Sequence, residues 1–145
     1  MGPEPATTRP FYVTGVMMGE HHPLRPDVSM EHEDGVTRGR VRFGVTFEGP
    51  PGCVHGGFVA HFFDQILGQH NLFAHIPAMT GTLSVRYRQG TPILRDLTFE
   101  VRHAPEGERK VRTTSRLEAD GEVFSEAEGV FIVPRTLSGA EAERG

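Results

Sequence analysis

From Gly49 to Phe73 the chain reads GPPGCVHGGFVAHFFDQILGQHNLF, a turn-forming segment that runs into an apolar stretch with one carboxylate, Asp64. At about 100° per residue, Phe58, Val59, Phe62, Phe63, Ile66 and Leu67 fall within one arc of about half the circumference, which predicts a helix with a core face. Gly57, Ala60, Asp64 and Gly68 fall on the opposite side, with His61 at its edge. A wet helix face would carry long polar side chains, and each glycine costs about 1 kcal/mol relative to alanine. The stripe therefore reads as a surface that something approaches closely. The helix is expected to end around Asn71 to His75, with Pro77 beyond it.

The rest of the chain alternates with a period of two. Val28, Met30 and His32 alternate with Ser29, Glu31 and Glu33, and Asp34-Gly35 follows as a hairpin signal. Val41, Phe43, Val45 and Phe47 then alternate with Arg38, Arg40, Arg42 and Thr46, completing a half-buried antiparallel pair. After the helix, Leu83, Val85 and Tyr87 alternate with Thr82, Ser84, Arg86 and Arg88, and Leu97, Phe99 and Val101 with Thr98, Glu100 and Arg102. Val111 to Ala119 is a polar strand with Val111, Thr113, Ser115 and Leu117 on one face, and Asp120-Gly121 turns it into Val123 to Val133. Two strands, one apolar helix and about four more strands make an α+β pattern in which a single antiparallel sheet of about five to six strands curls around one helix. The sheet edges and the small-residue stripe stay uncovered in such a domain, and dimerisation is the expected remedy.

With 145 residues the chain suits one domain, expected over 27–134. Residues 1–26, which hold five prolines, read as a loose arm with at most one helical turn near Tyr12 to Gly19, and 135–145 as a flexible tail. No apolar run reaches the roughly 18 residues that span a bilayer, so no membrane is expected. The N-terminus lacks the basic start and apolar segment of a signal peptide, and cytoplasm is the expected compartment. One cysteine, Cys53, leaves no internal disulfide and fits a reducing environment. A net charge of −4 argues against nucleic acid as partner. Fourteen of the 15 basic residues are Arg, which reads as a compositional preference more than as a phosphate surface.

His55-Gly56-Gly57, Asp64 nine positions after the histidine, and Thr80-Gly81-Thr82-Leu83-Ser84-Val85-Arg86-Tyr87 resemble the acyl-CoA thioesterases of the hotdog fold, in the branch that includes the phenylacetate-pathway type. Asp120-Gly121 and Ala127-Glu128-Gly129-Val130-Phe131 extend the resemblance, which covers about Pro23 to Pro134. It implies a helix wrapped in a curved antiparallel sheet, a homodimer and often a dimer of dimers, hydrolysing an acyl-CoA thioester at the dimer interface. It further implies that Asp64 acts as general base or nucleophile, that the N–H of Gly56 binds the thioester carbonyl, and that Thr80 positions the water or the carboxylate. The chain departs from the pattern at Gly49, where some relatives carry a side-chain amide, and at Gln65, where many carry an acidic residue.

Elementary chemistry supports the same residues. Helix-start N–H groups are unpaired and lie at the positive end of the dipole, which suits an oxyanion, and Gly56 and Gly57 offer them without a side chain in the way. Gly56 and Asp64 are eight residues apart, about 12 Å along a helix, whereas a group acting on a carbonyl must come within about 3 Å of it. Two antiparallel helices can supply both groups where one chain cannot.

His55 reads mainly as a structural residue fixing the loop, with acid or base work as the alternative. Arg86 and Arg88 are candidates for coenzyme A phosphates, or else part of a solvated strand face. Gly57 and His61 are further candidate substrate contacts. Cys53 and His55 lack a third orienting group for a thiol nucleophile. His61, Asp64 and His70 do not form a compact ligand set, so no metal is expected, and no cofactor beyond the coenzyme A thioester as substrate. An α/β-hydrolase is excluded by the absence of a G-x-S-x-G elbow. A non-catalytic acyl-CoA binding or regulatory protein of the same fold is the alternative function, and a related dehydratase a more distant one.

Overall fold

The computed structural model describes residues 26–135. The arm with its helical turn near Tyr12 to Gly19, and the tail from 136 onward, lie outside the described residues. The elements are β1 (Asp27–Glu33), β2 (Val36–Arg42), α1 (Gly56–Phe73), β3 (Met79–Tyr87), β4 (Leu97–Gly107), β5 (Lys110–Ala119) and β6 (Glu122–Ile132). All strand pairs are antiparallel and form one sheet in the order β1-β2-β4-β5-β6-β3. The helix crosses the sheet between β2 and β3, so the chain re-enters at the far edge and β3 pairs with β6 alone.

The two hairpin signals act as expected. Asp34 and Gly35 have φ of 54° and 78°, and Asp120 and Gly121 of 51° and 82°, the paired positive values of a two-residue turn whose twist matches its strands. A third hairpin joins β4 to β5, with Gly107 opposite Lys110. The alternation from Leu97 to Arg102 covers only the first part of β4, which runs on to Gly107. The strand carries Pro105 beside an irregularity in register between Pro105 and Gly107.

One expected strand segment takes another form. Val45–Phe47 is a single 3₁₀ turn, not a continuation of β2. Phe43 and Phe47 are both buried while Val45 is 62% exposed. The turn directs both rings inward and brings the chain under α1.

The core sits between α1 and the inner sheet face. Val59, Phe62, Phe63, Ile66 and Leu67 are buried, as the helical arc predicts, and His70 and Asn71 join them. Phe58 packs at the margin, edge-on to Phe47 at 5.1 Å between ring centres. Phe62 meets Phe43 at 5.4 Å and Phe99 at 5.5 Å, both edge to face, a geometry that adds to the gain from burial. Phe99 lies across β2 at Gly39, where an added Cβ would stand 2.6 Å from its ring. Glycine at 39 is the condition for that ring's place in the core.

Candidate functional site

The expected site residues fall into three places. The first is the junction of α1 with β3. Asp64 lies midway along α1 on the stripe of small residues, and Thr80 donates a hydrogen bond from Oγ1 to Asp64 Oδ1 at 2.8 Å. Strict alternation would not have brought them together. Leu83 and Val85 pack on the core side of β3, so a regular strand would turn Thr80 to the opposite face with Thr82 and Ser84. The register shifts between Thr80 and Thr82, so that Thr80 pairs with Phe131 and Thr82 with Val130. This bulge at Gly81 reverses the side on which Thr80 emerges. A Cβ at Gly81 would lie 2.7 Å from Ile132 Cδ1 and 3.1 Å from the carbonyl oxygen of Val130, so a larger residue in the bulge would have to displace the Ile132 side chain.

The second place is the start of α1. His55 is the N-cap, and its Nδ1 accepts from the N–H of Gly57 at 3.0 Å. The carbonyl oxygen of His55 accepts from the N–H groups of Phe58 and Val59, and its N–H donates to Phe47. Gly57 is thus already committed, and the N–H of Gly56 is the helix-start donor that takes no acceptor among the described residues. A Cβ at Gly49 would stand 2.9 Å from His55 Cα, so the side-chain amide of some relatives has no room against this loop. Tyr87, at the end of β3, donates its hydroxyl to the carbonyl oxygen of Gly56 at 2.7 Å. Burial pushes the Tyr87 phenol above its ordinary range, so it remains a donor. Its expected place on an apolar strand face was read from alternation, but nothing in the sequence marks the contact with Gly56.

Along α1, His61 keeps Nε2 buried without a partner among the described residues. A buried, unmade ring nitrogen on the edge of an open stripe has its hydrogen bond still to be supplied.

Arg86 and Arg88 occupy the third place, the outer face of the sheet. Arg86 pairs with Glu126 in register and shares that face with Ser84. Arg88 forms an ion pair with Glu126 at 2.5 Å. Around them Arg102 and Arg116 alternate with Glu100, Glu118 and Glu128 along a shallow groove of about 810 Å³. These pairs are exposed and contribute little stability individually. The sheet itself separates Arg86 and Arg88 from Asp64 of the same chain.

A buried polar chain near the end of α1 was not legible in the sequence. His32 Nδ1 and Thr37 Oγ1 lie 2.8 Å apart, Thr37 Oγ1 and His70 Nδ1 2.7 Å, and His70 Nε2 and His103 Nδ1 2.8 Å. Thr113 donates to Asn71 Oδ1 at 3.0 Å beside it. Burial, with His103 and His32 nearby, holds His70 down to about 3. His70 bonds directly to His103 and through Thr37 to His32, and among the described residues no group of three or more His, Cys, Asp or Glu side chains has the arrangement of a metal site.

The same arrangement of helix and sheet recurs in solved structures. A thioesterase superfamily protein is 36% identical, with a TM-score of 0.76, over 81% of this chain and 62% of that one. This chain therefore spans less than two thirds of that protein's length. The hypothetical thioesterase protein of Streptococcus pneumoniae, solved with coenzyme A, is 18% identical with a TM-score of 0.68 over 74% of this chain and 88% of its own. That protein has also been solved with alanine at an aspartate and, separately, with alanine at a threonine. A phenylacetic acid degradation-related protein of Ralstonia eutropha is 18% identical with a TM-score of 0.63 over 72% of this chain and 83% of its own. No family model matches the sequence. One long helix wrapped by a six-stranded antiparallel sheet is the hotdog fold. Among the described residues no helix is long and apolar enough to cross a membrane.

Proposed function

We propose that the protein is an acyl-CoA thioester hydrolase whose active site forms between two copies of the chain. The observation that carries this reading is the Thr80–Asp64 pair, a carboxylate oriented by a hydroxyl on a helix face otherwise lined by Gly57, Ala60 and Gly68. Within one helix the N–H of Gly56 and the carboxylate of Asp64 lie about 12 Å apart along the axis. An antiparallel partner helix brings Gly56 of one copy opposite Asp64 of the other. The open edge of β3, the small-residue stripe and the unmade Nε2 of His61 all favour a second copy at this face.

In the general-base form, Asp64 takes a proton from water as the water oxygen bonds to the thioester carbon. The carbonyl oxygen gains the charge and accepts from the N–H of Gly56 in the partner copy, at the positive end of the helix dipole. The intermediate collapses by breaking the carbon–sulfur bond, and the proton held by Asp64 passes to the leaving thiolate. Acid and free coenzyme A result. In the nucleophilic form Asp64 Oδ2 itself bonds to the thioester carbon, the carbon–sulfur bond breaks to release coenzyme A thiolate, and water then cleaves the mixed anhydride to the free acid and the Asp64 carboxylate, its proton passing to the thiolate. Thr80 serves both, since its bond to Oδ1 leaves Oδ2 free for the reacting atom. His55 acts as the cap that holds the loop, with Gly57 bound to it. The neighbours named as thioesterases, one of them holding coenzyme A, support the substrate class, and the phenylacetic-acid-related neighbour supports that branch.

The test is thiol release from a panel of short, medium and long aliphatic acyl-CoAs with phenylacetyl- and benzoyl-CoA, run beside Asp64→Asn. Release by the wild type that is lost in the correctly folded variant is expected. Equal release by both would overturn the role of Asp64, and saturable binding without release would make the protein an acyl-CoA binding module.

A further inference from the structure

Resting on the reading of Gly56 as oxyanion donor, we infer that Tyr87 is a positioning residue that clamps the Gly56–Gly57 peptide. A peptide unit is a rigid plane, and here both of its polar groups are tied by side chains. The Tyr87 hydroxyl holds the carbonyl oxygen of Gly56 at 2.7 Å, and His55 Nδ1 holds the N–H of Gly57 at 3.0 Å. The preceding plane, which carries the N–H of Gly56, is fixed through the His55 carbonyl by Phe58 and Val59. With both planes held, the torsions of Gly56 are set and the direction of its N–H with them.

This matters because two consecutive glycines at a helix start are the least constrained backbone available, whereas an oxyanion donor works only if it is aimed beforehand. The Gly-Gly pair gives the thioester room, and the two tethers restore the order that the glycines forfeit. Stability alone does not call for the phenol. The Gly56 carbonyl lies in the first turn of α1, where the helix itself supplies an acceptor's partner, and Tyr87 remains 50% exposed at the end of an edge strand. A Cβ built on Gly56 stands 3.6 Å from both Cζ and the hydroxyl oxygen of Tyr87, so the polar end of the ring, not its face, is what lies over the glycine.

Tyr87→Phe in the full-length protein tests this. The expected result is a fall in kcat of about five- to tenfold, the size of one hydrogen bond felt through orientation, with KM within about twofold and an unchanged melting temperature. Tyr87→Phe combined with His55→Ala should cost less than the product of the two single losses, since either tether alone leaves the plane free to turn. Wild-type kcat in Tyr87→Phe, or a loss that follows melting temperature, overturns the clamp. Amide exchange separates this from failure of the hydrolase reading. If the wild type releases no thiol from any acyl-CoA, that reading falls, while the clamp still requires Gly57 exchange to rise about fivefold or more in Tyr87→Phe with Leu67 unchanged. Unchanged exchange at Gly57 overturns the clamp whatever the activity.

Discussion

Thr80 and Asp64 meet through a 2.8 Å hydrogen bond that spans from the start of an edge strand to the middle of the helix. A single bulge in β3 decides that they face each other.

Thr80→Val keeps the shape of the side chain and removes the donor. Turnover is expected to fall about tenfold or more as Asp64 loses its fixed rotamer, while Thr80→Ser retains most of it. Steady-state kinetics on the best acyl-CoA of the panel, with circular dichroism to check folding, measures the difference.

Gly56→Ala separates folding from chemistry. The nearest atoms to its Cβ belong to Tyr87 at ordinary contact distance, and alanine is the better helix former by about 1 kcal/mol. The variant should melt at or above the wild-type temperature yet lose most thioester hydrolysis if the approach to the Gly56 N–H needs a residue without a side chain. Thermal melts beside kinetics decide it.

Gly68→Arg addresses the second copy. Nothing lies within 4 Å of a Cβ at this position in the single chain, so the isolated fold accepts the substitution. If two helices face each other along the stripe, the variant sediments as a monomer and is inactive. A dimer with wild-type activity would remove this face from the interface.

His70 gives a pH dependence with a definite sign. Its unfolded value is the ordinary 6.5 and its folded value about 3, so the stability it contributes is complete above about pH 6.5 and is lost as pH falls toward 3. At pH 5 the loss reaches up to about 2 kcal/mol. Melting temperature should drop between pH 7 and pH 5, and His70→Gln, though less stable at pH 7, should show a shallower slope.

What the sequence shows and what it hides divide along physical lines. The helix, its core face and both Asp-Gly hairpins follow from local periodicity and turn chemistry, which six or eight neighbouring residues suffice to specify. The polar chain of His32, Thr37, His70 and His103 draws on β1, β2, α1 and β4. It exists only once the sheet order sets β4 beside β2, and His32 by itself reads as one more residue on an apolar face. Tyr87 likewise alternates correctly with Leu83 and Val85, but its bond to Gly56 joins residues 31 positions apart. Val45 was misread because the period of two continues past the end of β2, where Gly44 and the burial of both Phe43 and Phe47 favour a tight turn.

The bulge at Gly81 makes pairing register itself a determinant of the site. If Gly81 took a partner on β6 as an ordinary strand residue, no residue type in β3 would change and alternation would be perfect, yet Thr80 would emerge on the side of Ser84 and Arg86. Asp64 would lose its hydroxyl partner with neither residue substituted. In this fold an apparent improvement in strand regularity disconnects the site, so β3 works through the parity of a count as much as through the identity of any side chain.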